Sequence, residues 1–328
     1  MYVLSGIEIY QWEIRGFILN KIAFILLIQC TLAFANHGVV YEFSGGRFGD
    51  NLLCYLHAKW IAFQYDMTLY YKTFPNSNQL KLDDIETKYS MQAHQNRMRV
   101  RIGQHPIEEH SDRAFLYICP YFPEDPRERK IDNYVYFDVD WKNEAFRKIA
   151  LDMISPKKNL TLIIPPKDTI NIAIHVRRGD NYDTGEFHRR FGLKLPPLDF
   201  YVEGLKKVLE FFPGKSIYCY IFTDAQYPQS LEEMFKQCVP LGTQIRFGFR
   251  RGQMRQNMYV LEDFFSLFNF DILIRPQSNF SMIPSLLKDF AVVYHPVDFS
   301  LDQNIVNITE VNLELNQKVY DQLINSKG

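Results

Sequence analysis

The residues best suited to chemistry form one block, His175-Val176-Arg177-Arg178-Gly179-Asp180, at the carboxyl end of the apolar run Ile170–Val176. A run of this kind reads as a strand buried on both faces, and open α/β sheets bind ligands beyond the carboxyl ends of such strands. Adjacent guanidinium groups there are costly to hold unless an anion satisfies them, and their forked donors match phosphate oxygens. Gly179 lets the turn approach a ligand closely. The same residues also fit two plainer descriptions. One is a surface loop whose arginines pair with Asp180 and Asp183; the other is an exposed Arg-Gly-Asp tripeptide.

Two further strand ends supply partners. The run Ser216–Asp224 ends in Thr223-Asp224, and Asp271–Pro276 runs through Gln277-Ser278-Asn279-Phe280-Ser281 into a helix. Backbone N–H groups at a helix start cradle phosphate, and Ser278 or Ser281 serves either as a contact or as a plain cap. Asp263 sits beside Glu262 and aromatic residues on a predicted helix. The chain has no G-x-x-x-x-G-K-[ST] loop, and Asp138-Val139-Asp140, which has the Asp-x-Asp form, lies far upstream of these strands. A diphosphate bound here would be neutralised by arginine. No metal ligands are expected.

The elements that must position these residues alternate. Val39–Ser44 reads as a strand, Gly45–Asn51 as a glycine-rich turn, Leu52–Tyr65 as a helix and Met67–Tyr71 as a strand. Residues 75–130 carry weak periodicity; Tyr134–Asp138 is β-prone, and Lys142–Met153 has helical spacing. The prolines and lysines of Pro156–Lys167 mark a linker. Beyond it come helices at Asp199–Phe212, Gln229–Cys238, Asn257–Phe268 and Ser281–Asp289. They alternate with strands at Ile170–Val176, Ser216–Asp224, Gln244–Phe247, Asp271–Pro276 and Ala291–Pro296. Such alternation implies α/β architecture with parallel sheets. Two halves around a proline-rich hinge suggest two Rossmann-like domains facing a cleft, over 37–165 and 166–328.

With 328 residues, 47% hydrophobic and 15% aromatic, the chain can fill two domain cores. The balance of 37 basic against 38 acidic residues gives a net charge of −1, so the chain as a whole has no attraction for nucleic acid. Any phosphate recognition must be local. Ile22–Ala35 is an apolar run behind Arg15 and Lys21, ending in a small-x-small pattern, Ala33-Phe34-Ala35. Residues 1–36 read as a signal peptide or a membrane anchor, placing the protein in the secretory pathway or at a membrane; an over-extended start would leave it cytoplasmic. Cys54, Cys119, Cys219 and Cys238 show no metal-binding spacing and fit burial as small apolar residues, with a Cys219–Cys238 disulfide as an alternative for that pair.

Taken together, HVRRGD after a strand, FTDA, and LEDFFSLFNFDILIRPQSNFSMIPSLL resemble the donor half of fucosyltransferases that carry an H-x-R-R-G-D block. The likeness is nearest to the α-1,2-fucosyltransferases (glycosyltransferase family 11), with looser similarity to α-1,6 and protein O-fucosyltransferases. GGRFGDNLLCYLHA at 45–58 resembles the GGLGNQ-(L/M)-FQYA opening of the α-1,2 group, with one inserted residue and Asp50-Asn51 in place of Asn-Gln. SNFSMIPSLL stands where that family often shows SSFSWWGAWL.

The resemblance implies a GT-B arrangement and an inverting, metal-independent transferase moving fucose from GDP-fucose to a glycan acceptor. Arg177 and Arg178 would hold and neutralise the diphosphate, and His175 and Gly179 would shape the same loop. Thr223, Asp224, Asp263, Ser278 and Ser281 match donor-side positions, and Gly45, Gly46, Gly49 and Asn51 match an acceptor-side loop. GEFH at 185–188 resembles the segment after the arginine block in the α-1,6 group, which makes Glu186 the candidate general base, with Asp180 orienting the arginines.

Overall fold

The structure, a computed structural model, describes residues 37–43, 45–102, 107, 114–121, 139–178, 191–250, 259–303 and 305–327. The chain forms two compact units: Met1–Gly45 with Asn51–Met153, and Gly46–Asp50 with Ile154–Gly328. The segment 156–167 belongs to the second unit and is pinned there. Ile163 N–H donates to Ser266 Oγ at 2.8 Å, and Asn269 Nδ2 donates to Ile163 O at 3.0 Å.

The first unit holds a parallel sheet of five strands, in the order β3-β2-β1-β5-β4. These are β1 (Gly38–Tyr41), β2 (Thr68–Tyr71), β3 (Thr87–Lys88), β4 (Met98–Arg101) and β5 (Phe115–Cys119). Helix α1 (Phe48–Gln64) connects β1 to β2, as a parallel pair requires. Its apolar face is broader than the sequence spacing suggests: Leu52, Cys54, Tyr55 and Ala58 are buried along with Leu53, Leu56 and Ile61. A helix apolar nearly all round is one covered nearly all round. The short helix α2 (Leu82–Ile85) and α3 (Glu144–Ile154) complete the unit. Asn143 starts α3 by accepting the Phe146 N–H at 3.0 Å.

The second unit holds six strands in the order β11-β10-β9-β6-β7-β8. They are β6 (Ile170–Val176), β7 (Ile217–Thr223), β8 (Ile245–Phe249), β9 (Ile272–Ile274), β10 (Val292–Asp302) and β11 (Ile305–Leu315). All pairs are parallel except β10 with β11. The crossovers carry α4 (Leu198–Leu209), α5 (Pro228–Cys238), α6 (Val260–Ser266) and α7 (Asn279–Leu287), and α8 (Gln317–Ser326) follows β11. The α/β fold with parallel sheets expected from the alternation is therefore present in both units.

Strand alternation sorts this unit's core onto two faces. Ile172, Ile174, Cys219, Ile221, Ile272, Ile274 and Tyr294 pack with Phe200, Leu205 and Leu231 of α4 and α5. Ala173, Tyr220, Phe222, Leu273 and Val293 pack on the opposite face with Leu267, Phe270 and Phe290. Each fully buried Ile or Leu contributes about 1.5–3 kcal/mol of transfer free energy, so both faces must be covered for the sheet to persist. The four described cysteines are free thiols, and Cys219 lies within the strand core, not bonded to Cys238.

Within the second unit, the first turn of α1 meets the first turn of α7. A Cβ on Gly49 would lie 2.5 Å from Phe280 N and 2.8 Å from Phe280 Cα, both backbone atoms that cannot swing away. Gly49→Ala is expected to cost about 1–3 kcal/mol as an overpacking change, seen as a lower urea midpoint. At Gly45 there is open space for a Cβ, so Gly45→Ala bears only the left-handed backbone penalty (φ +78°) of about 1–2 kcal/mol. A Gly49→Ala protein with wild-type stability would contradict the close approach.

Candidate functional site

The carboxyl ends of β6, β7 and β9 bring the predicted residues of the second unit together. β6 delivers His175 and then Arg177 and Arg178. Arg178 N–H donates to Asp224 Oδ1 at 2.6 Å, joining the two strand ends. Thr223 Oγ1 accepts the Ala225 N–H at 3.0 Å and shapes the turn after β7. The arginine pair is more open than its place after a buried strand suggests: Arg177 is half-buried and Arg178 is exposed. The strand ends before them, so both side chains leave the sheet at its edge. Beneath them, the buried Tyr201 lies close to the Arg177 backbone, and burial raises its hydroxyl pKa.

His175 is 8% exposed, and its Nδ1 hydrogen-bonds Ser281 Oγ at 2.7 Å. Burial pushes its pKa down to about 4; Asp224 opposes the shift, while Arg177 and Arg275 reinforce it. Desolvation and two positive neighbours outweigh one carboxylate, and the ring is neutral at pH 7. Ser278 takes the N-cap position of α7 in extended geometry, yet its side chain makes no capping bond. Ser281 is fully buried against His175, so neither serine acts as the simple side-chain cap that remained open from the sequence.

The glycine loop closes one side of this site. Asn279 Nδ2 donates to Asp50 Oδ1 at 2.6 Å, and Asp50 Oδ2 accepts Arg47 N–H at 3.2 Å. Phe48 packs edge-on against Phe264 with centroids 5.3 Å apart; Phe264 meets Phe280 at 5.7 Å and Phe280 meets His175 at 5.3 Å. Gly46 and Gly49, read as part of an acceptor-side loop, thus lie in the second unit around α7. Gly45 and Asn51 fall in the first.

Asp263 stands on α6, paired with Arg250 Nε at 2.6 Å. Burial raises its pKa to about 6 even with that arginine in contact. The Arg250 guanidinium also lies 4.4 Å from the Tyr259 ring centroid, and its buried Nη2 has no partner. Arg250 and Asp263 line a small cleft of about 10 Å³, room for about one water molecule, with Tyr220, Ile221, Phe222, Thr223 and Pro228.

Gly179, Asp180 and Glu186 lie outside the described residues, as does the apolar leader. Asp138 does too. Asp140 is exposed in the first unit, where Oδ1 accepts the Lys142 N–H at 3.0 Å as a turn cap. Among the described residues no group of three or more His, Cys, Asp or Glu side chains could hold a metal ion, and no helix is long and apolar enough to cross a membrane.

No known family profile matches the chain, and no curated protein matches it in sequence. Solved structures do. NodZ α-1,6-fucosyltransferase, known from Bradyrhizobium and here co-crystallised with GDP, shares 12% identity over 86% of this chain and 99% of its own, with a TM-score of 0.46. A mutant of Arabidopsis thaliana FUT1 in complex with GDP shares 13% over 83% of this chain and 74% of its own, TM-score 0.47. POFUT1 in complex with GDP-fucose shares 12% over 78% and 94%, TM-score 0.39.

Two residues of the site escape the sequence reading. Arg250 follows β8 with no motif around it, and Arg275 directly follows the apolar strand β9. The arginine's presence at the end of ILI was the available signal, since a charge there must be paid for by its surroundings.

The buried ring yields a pH test. The folded pKa of His175 lies below the ordinary 6.5, so its contribution to stability is complete above that value and is lost as pH falls toward about 4. Between pH 7 and 4.5 wild-type protein should lose about 2–3 kcal/mol more stability in urea than His175→Gln, in which the titrating ring is gone. Parallel losses would rule out a buried neutral histidine.

Proposed function

We propose that this chain is a glycosyltransferase that moves fucose from GDP-fucose to a hydroxyl of a carbohydrate acceptor, inverting the anomeric carbon and using no metal ion. The observation that carries this reading is the place of the HVRRGD block. Arg177 and Arg178 leave β6 at the carboxyl edge of a parallel sheet, tied through Asp224 to the end of β7 and through His175–Ser281 to the first turn of α7. Phosphate oxygens find guanidinium donors and helix N–H groups there together.

In the reaction, the acceptor hydroxyl oxygen attacks the anomeric carbon from the face opposite the diphosphate. The bond from that carbon to the diphosphate oxygen breaks, and the arginines and α7 N–H groups stabilise the departing GDP anion. The hydroxyl proton passes to a carboxylate, and we assign this base to Glu186, with Asp180 orienting the arginines. Neutral His175 adds no charge; it fixes Ser281 and the loop that carries the arginines. The first unit takes the acceptor side, a galactoside α-1,2 linkage is the product the resemblance favours, and the leader places the activity in the secretory pathway or at its membrane.

Incubating the protein with GDP-fucose and a panel of β-galactosides, followed by linkage analysis, tests the reading; preference for a sugar on UDP, CMP or ADP would overturn the donor. Arg177→Ala and Arg178→Ala are each expected to weaken GDP binding by about tenfold or more, the scale of a lost charge-assisted hydrogen bond. Transfer should survive EDTA, whereas a strict Mn²⁺ requirement would remove the arginine-only scheme. Glu186→Gln should lower kcat by about 10²-fold or more with GDP affinity retained. An active Glu186→Gln enzyme would move the base elsewhere.

A further inference from the structure

One level of the second sheet is polar where its neighbours are apolar. Ile274 pairs with both Ile174 and Tyr294, and Arg275 N–H donates to Tyr294 O, which sets Arg275 level with His175 on β6 and His295 on β10. His295 in turn pairs with Asn312 on β11. The row His175–Arg275–His295 is 8%, 5% and 8% exposed, on the face that elsewhere carries Ala173, Leu273 and Val293.

Arg275 is the outlier in this row. Its Nη1 donates to Pro276 O at 3.2 Å, while its buried Nε–H has no partner. The nearby carboxylate is that of Glu314, itself held by His295 Nε2 at 3.1 Å and Asn312 Nδ2 at 2.9 Å. Glu314 does not balance the guanidinium: burial still lowers the Arg275 pKa to about 10, against the opposing pull of that carboxylate. Its other close neighbour, His175, is neutral, and the α7 N-terminus, whose N-cap Ser278 follows three residues on, is electropositive. A buried positive charge so weakly compensated is stabilised when an anion arrives.

We propose that Arg275 is a positioning residue for the diphosphate, a third guanidinium fixed inside the sheet behind Arg177 and Arg178, with Glu314 on β11 as its tethered counter-charge. The proposal deepens the nucleotide-sugar reading and rests on it for the ligand. Arg178 is exposed and Arg177 half-buried at the end of β6, whereas Arg275 is buried and held by the strand beside it through its N–H bond to Tyr294 O. Its field therefore acts on the anion's placement with no reorganisation.

Calorimetric titration of the full chain with GDP, inorganic pyrophosphate and guanosine tests this. Arg275→Gln is expected to lose about tenfold or more in affinity for GDP and pyrophosphate, with guanosine affinity within about twofold of wild type and Arg275→Lys intermediate. Equal loss toward guanosine and GDP would mean a structural role and overturn the proposal, as would unchanged GDP binding. Glu314→Gln decides if the arginine variants do not fold. Freed of its counter-charge, Arg275 should bind GDP about two- to threefold more tightly at low ionic strength, with the gain gone near 0.5 M salt. Unchanged affinity in Glu314→Gln at low salt overturns the proposal. A wild-type chain that binds pyrophosphate but not GDP removes the GDP reading alone, and the same variants then decide Arg275 on pyrophosphate; one that binds neither removes both.

Discussion

Burial of both faces of the second sheet is the constraint from which its site follows. A parallel sheet covered by helices leaves its strand interiors no room for unpaired polar groups, so the apolar runs of β6, β7 and β9 stop where the polar residues begin. Among the described residues, Arg177, Arg178 and Arg275 follow strand ends at one edge because β6, β7 and β9 run in one direction. The antiparallel strand β11 is the exception, and it carries Glu314, which stands opposite Val293 of β10 and supplies a carboxylate near Arg275.

The same burial sets the charges. At His175 desolvation and two guanidinium groups outweigh Asp224, and the ring stays neutral. At Asp263 desolvation outweighs even a 2.6 Å contact with Arg250, which lifts the carboxyl toward neutrality without reaching it at pH 7. The exposed pairs elsewhere, such as Lys81–Asp152 and Lys206–Glu203, sit in water, where solvent screens them and they contribute little. Positive charge therefore outlasts negative charge at these strand ends: Arg178 is exposed and Arg177 half-buried, Arg275 is only partly offset by Glu314, and the neutral His175 ring contributes none.

Much of this was legible because periodicity and composition act locally. Ile170–Val176 was delimited to the residue by its apolar run, and the helices at Leu198–Leu209 and Pro228–Cys238 fell within a few residues of their spacing. The strands β3, β4 and β5 were missed. β3 has only Thr87 and Lys88, β4 alternates Met and Arg with a single buried valine, and their partners are distant in sequence. β11 escaped because its pattern, IVNITEVNLEL, is largely that of an exposed edge strand stabilised by pairing with β10. The importance of Arg275 depends on register across β6, β9 and β10, which no local window contains.

The glycine loop shows how a departure from a pattern acquires a physical meaning. Where the α-1,2 pattern has Asn-Gln, this chain has Asp50-Asn51. Asp50 lies in the first turn of α1, where a carboxylate is favoured by the helix dipole, and it accepts both Arg47 N–H and the Asn279 amide. An asparagine there could receive those bonds on its single oxygen only by crowding them, whereas a carboxylate has one oxygen for each. The substitution thus fastens the start of α1 to the start of α7 with a charge-assisted bond. Gly49 permits the approach, Asp50 holds it, and Asn279 is thereby oriented one residue after Ser278 and two before the serine that grips His175. The loop that the pattern assigns to the acceptor side is, in this chain, a brace for the first turn of α7.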